Sequence, residues 1–160
     1  MVPDGYVDIH SHVLPGLDDG AKTIDDSINL IKKLKELGVF KIIATPHVMN
    51  GVWPNSSKLI IEKLFLLRKE LKKIGITDFK IDAAAEYMLD ENFSTLLKKQ
   101  DLLPVKDNKI LVELSYLNAP SNLFEILFDI QIAGYEPILA HPERYAFYHV
   151  NKSNYNDLKR

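Results

Sequence analysis

The sequence predicts an α/β fold in which parallel strands alternate with crossover helices. Three observations predict it. Short β-rich runs alternate along the chain with longer stretches whose apolar residues are spaced by three and four. Glycines or a proline punctuate the ends of those longer stretches. A histidine or glutamate sits at the C-terminal end of each strand run, the edge where parallel α/β folds gather ligands and catalysis.

The elements follow in order. Strands are expected over residues 6–9, 39–44, 79–84, 109–114 and 137–140. The first helix places Ile24, Ile28, Ile31, Leu34 and Leu37 on one face, with Thr23 as N-cap and Gly38 just past its end. The second uses Leu59, Ile60, Leu64, Leu67, Leu71 and Ile74, enters from Asn55-Ser56-Ser57 and closes at Gly75. A third covers about 91–99 and stops before Pro104. The fourth spans about 121–133, carries Leu123, Ile126, Leu127, Ile130 and Ile132, and ends at Gly134. A fifth begins within 154–160. Two architectures accommodate this alternation: an open doubly wound sheet and a β/α barrel.

Bulk composition narrows the function classes. The 160 residues suit one domain able to bury a core, and the apolar (46%) and charged (26%) fractions are those of a globular chain. A net charge of −2 gives no electrostatic footprint for nucleic acid or an anionic membrane surface. No apolar run is long enough to span a bilayer, and the N-terminus does not read as a signal peptide, so a cytoplasmic location is expected. The absence of cysteine removes disulfides, thiolate metal sites and cysteine nucleophiles together.

The polar residues at the strand ends form the candidate site. His10 and His12 end the first run, His47 the second, Glu86 the third, Glu113 lies near the end of the fourth, and His141 ends the fifth. Imidazole and carboxylate without thiolate suit Mn, Fe or Zn. A His-x-His pair on an extended segment points both rings to one side. A strand-end glutamate can bridge two cations, and paired cations would clamp a phosphoryl group. Singly, each residue also has a plain reading: a structural histidine pair, a loop cap at His47, a paired Glu113, a hydrogen-bonded His141. Asp19, in the glycine-bounded Gly16-Leu17-Asp18-Asp19-Gly20 loop, could ligate, move a proton, orient water or stabilise its own turn. Arg144 could bind phosphate oxygens bidentately or pair with Glu143 or Glu136. Tyr87 reads as wall packing, His149 as a structural or surface residue, and the Trp53-Pro54-Asn55 loop as a lid, a substrate lip or a rigid connection.

Asp8-Ile9-His10-Ser11-His12, continuing through Leu14-Pro15-Gly16-Leu17-Asp18-Asp19-Gly20-Ala21, resembles the opening motif of bacterial capsule- and exopolysaccharide-type tyrosine-protein phosphatases of the PHP (polymerase and histidinol phosphatase) superfamily. Thr45-Pro46-His47, Ala85-Glu86-Tyr87, Val112-Glu113-Leu114-Ser115 and Ala140-His141-Pro142-Glu143-Arg144-Tyr145 are similar to the following four motifs, in order. The resemblance implies a distorted, TIM-like β/α barrel, represented here by about five strand–helix units, and a centre of three divalent ions (Mn, Fe or Zn). It implies metal-ligand roles for His10, His12, His47, Glu86, Glu113 and His141, a general acid/base role for Asp19 and phosphate binding by Arg144. The implied substrate is the phosphotyrosine tail of a bacterial tyrosine autokinase controlling polysaccharide export. Other activities of the superfamily, on histidinol phosphate or a nucleic acid 3′ end, are the alternatives, together with a non-catalytic metal- or kinase-binding remnant. The family's final Asp-x-His motif and a second arginine have no counterpart after His141. The expectation is therefore a single domain over 1–160, incomplete at its C-terminus, that binds metal less completely and turns over little by itself.

Overall fold

The computed structural model describes residues 2–3, 5–149 and 153–158. Strands β1 (Tyr6–Ser11), β2 (Val39–Ala44), β3 (His47–Val48), β4 (Lys80–Ala83), β5 (Glu86–Met88), β6 (Lys109–Glu113) and β7 (Glu136–Leu139) alternate with helices α1 (Ile24–Glu36), α2 (Ser57–Lys73), α3 (Glu91–Lys98) and α4 (Leu123–Ile132). Two short helices, α5 (Ala146–His149) and α6 (Asn154–Asp157), follow a single 3-10 turn.

The helix termini follow local chemistry. Thr23 caps α1 through a reciprocal capping box with Asp26, and Gly38 follows the C-cap at φ 94°. Ser56 caps α2 by accepting from the Leu59 amide. Asp90 caps α3 by accepting from the Asn92 and Phe93 amides. Helix α4 has no side-chain cap and starts two residues later than its apolar pattern suggests. Of the expected fifth helix, Asn154–Asp157 is helical, and residues 159 and 160 lie outside the described residues. The short α5 carries no sequence signal of the kind that marks the others.

All strand pairs are parallel, as the alternation of elements requires. They form two sheets, ordered β1-β2-β4 and β3-β5-β6-β7. The second and third expected strands are observed as β2 and β4, and each path resumes as a short additional strand, β3 and β5, after a break at Thr45-Pro46 and at Ala84-Ala85. Pro46 has no amide hydrogen to extend a ladder. Backbone bonds nevertheless bridge the breaks: the Ala84 amide donates to the Ala44 carbonyl and the Glu86 amide to the Pro46 carbonyl. The five strand paths thus lie side by side in chain order, with the upper halves shifted onto β6 and β7. A doubly wound sheet needs a reversal of strand order, and none occurs among the described strands. Among the described strands the sheets stay open rather than closing on themselves.

The main core lies between the sheets and the helices, around Ile31, Ile42, Ile60, Leu67, Ile110 and Ile130. A smaller apolar cluster, Ile43, Ala84, Val105, Leu111 and Ala140, occupies the other sheet face. Neighbours such as Ile42 and Ile43 fall on opposite sides because side chains alternate along a strand. No described helix is long and apolar enough to cross a membrane.

Candidate metal centre

The break in each middle strand delivers a polar residue into one buried focus. His47 opens β3 directly opposite Glu86, which opens β5. Glu113 ends β6 opposite Met88, and His141 follows β7. Glu86 is fully buried at the centre. Its Oε2 lies 3.1 Å from His10 Nε2, 3.4 Å from His12 Nε2 and 3.3 Å from His47 Nδ1. Its Oε1 meets His141 Nε2 at 2.9 Å. Glu113 Oε1 faces His47 Nδ1 at 2.7 Å, and its Oε2 lies 3.7 Å from His141 Nε2. All six strand-end residues singled out in the sequence are therefore together.

The donor set fits divalent cations. Glu86 Oε2 and His141 Nδ1 are buried without a hydrogen bond, and a buried polar atom without a partner is costly. Three triads bring one ligand atom each within 4.8 Å of the others: His10–His12–Glu86, His12–Asp19–His47 and His47–Glu86–Glu113. The side chain of Asp19 is 64% exposed and its Oδ1 lies 3.7 Å from His47 Nε2. It reaches the rim of the cluster rather than its centre.

The electrostatics are those of carboxylates collected in excess. Burial alone would raise the Glu86 carboxyl, but His10, His12 and His47 around it outweigh burial and hold it far below the usual range. Burial likewise disfavours a charged His12, yet its hydrogen bond to Asp18 and the nearby Glu86 carboxylate win and push it up to about 10. His47 is raised in the same way, burial being overcome by Glu113 and Glu86. In the absence of a metal, protons on imidazole balance the buried negative charge.

Several residues that hold this arrangement escaped the sequence reading. Asp18 is buried, unlike its neighbour Asp19. Its Oδ2 accepts from His12 Nδ1 at 2.7 Å and from the His47 amide at 3.0 Å, and its Oδ1 accepts from the Gly20 amide. It fixes the His12 ring so that Nε2 faces Glu86. A Cβ on Gly20 would sit 2.1 Å from the His12 carbonyl oxygen, so the loop closes only with glycine there. The hydroxyl of buried Tyr145 accepts from the Leu114 amide at 3.0 Å and donates to the Ala140 carbonyl at 3.1 Å, stitching the ends of β6 and β7 below His141. His141 itself adopts φ 29°, ψ 58°, a left-handed conformation rare outside glycine. The glycines bounding Asp18-Asp19 and the motifs containing Asp18, Gly20 and Tyr145 were their only signals, and neither says which side chain is buried or what it bonds.

Arg144 is exposed and donates from Nη1 to the Tyr116 hydroxyl at 3.3 Å, while Glu136 pairs with Lys109 instead. Arg144 shares with His10, His12, Asp19, His47, Glu86 and His141 a cleft of about 540 Å³. Tyr87 is buried with its hydroxyl accepting from the Leu103 amide, a packing role. His149 Nε2 lies 2.8 Å from the Glu143 carbonyl, away from the cluster. The Trp53 loop is braced by hydrogen bonds: the Met49 and Trp53 backbones bond reciprocally, and Asn55 Nδ2 donates to the Leu17 and His47 carbonyls.

Residues 6–160 match the family model described as "Capsular polysaccharide synthesis, CpsB/CapC". The chain belongs to the CpsB/CapC family. Among relatives of this CpsB/CapC chain, tyrosine-protein phosphatase YwqE of Bacillus subtilis (strain 168) is 37% identical over 139 residues, covering 86% of this chain and 54% of YwqE. Tyrosine-protein phosphatase CpsB of Streptococcus pneumoniae is 29% identical over 153 residues, covering 95% of this chain and 63% of CpsB. A crystal structure from work on YwqE of Bacillus subtilis and CpsB of Streptococcus pneumoniae, described as unique metal-dependent tyrosine phosphatases, superposes with a TM-score of 0.87 at 34% identity. The match covers 96% of this chain and 62% of that one. The CpsB/CapC chain thus spans a little over half the length of YwqE.

Proposed function

We propose that this chain carries the main part of a metal-dependent protein-tyrosine phosphatase site. One observation carries the reading: the buried Glu86 Oε2 makes no hydrogen bond, yet the nitrogens of His10, His12 and His47 lie 3.1–3.4 Å around it. Such a focus wants a cation shared among its donors. His10, His12, His47, Glu86, Glu113 and His141 are the ligands, for up to three ions of Mn, Fe or Zn; the overlapping triads support all of these but His141, which joins them through its 2.9 Å approach to Glu86 Oε1. Bound divalent ions would polarise phosphoryl oxygens and make water nucleophilic at neutral pH.

The remaining steps fall to exposed side chains in the same cleft. Arg144 binds the equatorial phosphate oxygens, and its bond to Tyr116 orients the guanidinium. Asp19, at the mouth beside His47, handles the proton of the departing tyrosyl oxygen. No cysteinyl-phosphate forms, since the chain has no cysteine. The substrate we propose is phosphotyrosine on a bacterial tyrosine kinase that controls capsule or exopolysaccharide synthesis, acted on in the cytoplasm. Strand paths that follow chain order and are staggered from β1 to β7 also favour an arc of a distorted β/α barrel.

The test has two readouts. Metal content and affinity are measured on the purified chain and on Glu113→Gln and His10→Ala, which should lose ions. Hydrolysis is compared on a phosphotyrosyl peptide, histidinol phosphate and single-stranded DNA. Unchanged metal binding in both variants, or turnover confined to histidinol phosphate or DNA, would sink the reading.

A further inference from the structure

A second cleft, of about 580 Å³, adjoins the metal-lined one and shares Asp19, His47 and Tyr116 with it. The two differ in chemistry. The first contains the histidine cluster and Arg144, a place for phosphate. The second is walled by Trp53, Met49 and Met88, and carries the carboxylates of Asp19, Asp90, Glu91 and Glu113 with His47 as its basic residue and no lysine or arginine.

Its aromatic wall is prearranged. The Trp53 ring lies parallel to His47, 11° between planes and 4.8 Å between centroids. The loop bearing it is held by paired Met49–Trp53 backbone bonds and by Asp90 Oδ2, which accepts from the Asn50 amide at 2.7 Å. Little ordering entropy remains to be lost on binding there. Asp90 keeps its charge in place through two further backbone donors, the Asn92 and Phe93 amides.

We propose that this cleft is the subsite for the tyrosyl ring and the peptide residues beside it, and that it selects phosphotyrosines flanked by basic or neutral residues against acidic ones. The inference rests on the phosphatase reading and deepens it. A peptide whose phosphate enters the Arg144 cleft has its neighbouring side chains directed across Trp53 toward Asp90 and Glu91. Lysine or arginine there meets complementary charge, whereas glutamate meets like charge. Flat apolar walls of tryptophan and methionine suit an aromatic leaving group.

Trp53 is the single tryptophan of the chain and reports directly on this cleft. Peptides carrying a non-hydrolysable difluorophosphonomethyl-phenylalanine, flanked by two lysines or by two glutamates, are titrated against the Mn-supplemented chain and the metal-free chain. The lysine peptide should change Trp53 emission and bind roughly tenfold more tightly, a preference shrinking with added salt. Glu91→Lys, at an exposed helix position, should reduce the preference; Trp53→Ala, followed by anisotropy of a labelled peptide, should weaken both peptides. Equal affinities, unaltered Trp53 emission, or a preference untouched by Glu91→Lys would overturn the proposal. The phosphatase reading fails separately: selective binding without turnover of any phosphotyrosyl peptide leaves the subsite standing, and turnover with equal kcat/KM on both flanking sequences refutes the subsite alone.

Discussion

The two ends of the parallel strands use the same ingredients, carboxylates facing basic groups, with opposite results. Toward the N-terminal end, Asp82 pairs with Lys41 at 2.5 Å and Arg68 at 2.6 Å, and Lys109 pairs with Glu136. These partners are permanent cations, and the Asp82 side chain is 49% exposed. At the C-terminal end, Glu86 and Glu113 are 0% and 1% exposed and face imidazoles, which are charged only when protonated. One end is complete as folded. The other concentrates buried negative charge that only protons or an added cation can balance. That difference separates a stabilising arrangement from a binding one.

The comparison is broken most severely at Glu86. Glu86→Gln should lower metal affinity by about 100-fold or more, read by competition with a chelating dye, because every triad but one uses its carboxylate. Saturating metal should raise the Tm of the parent chain and leave that of the variant nearly unmoved. Asp18→Asn comes next, with a loss of roughly 10–100-fold in affinity while the fold persists, since it releases the His12 ring without removing a donor that faces Glu86.

The pH dependence should have opposite signs in the two states. His12 is raised from 6.5 to about 10 in the folded metal-free chain. Its contribution to stability is therefore full below about pH 6.5 and is lost as pH rises toward 10. Metal must displace that proton, so metal affinity should instead rise over the same interval, with protons released on binding. Denaturant titrations of metal-free and Mn-loaded protein between pH 6 and 10 check both slopes; parallel slopes would contradict the assignment.

Tyr145→Phe should cost about 1–3 kcal/mol in denaturant unfolding, because it strands the buried Leu114 amide and Ala140 carbonyl. Asp82→Asn, at the other end, should cost below about 1 kcal/mol and leave metal affinity unchanged. A large effect of Asp82→Asn on metal binding would erase the distinction between the two ends.

Much of the helical framework was legible because its signals are local. Thr23 caps as expected, the cap of α2 falls on Ser56 within the expected Asn55-Ser56-Ser57 entry, and Gly38, Gly75 and Gly134 follow their helices at φ 94°, 80° and 87°. The six ligand candidates were legible because parallel strands expose their C-terminal ends on one edge. The end of β2 ahead of Thr45-Pro46 was legible too, since proline cannot extend a ladder, but the Ala84-Ala85 break and the resumption of both paths as β3 and β5 were not, since alanines carry no breaking signal and the bonds that bridge the breaks come from distant strands. The difference between Asp18 and Asp19 was also hidden: identical side chains one position apart become a buried anchor and an exposed rim carboxylate.

The sequence by itself determined the α/β alternation, the helix ends and the identities of His10, His12, His47, Glu86, Glu113 and His141, all of which depend on residue type and short-range spacing. Only the tertiary structure decided that Glu86 stands at the centre, that Asp18 and Tyr145 lock the surrounding backbone, and that Trp53 walls a second cleft. Those outcomes depend on atoms from separate strands meeting within hydrogen-bonding distance and shutting out water, and neither distance nor burial is encoded in the spacing of residues along one chain.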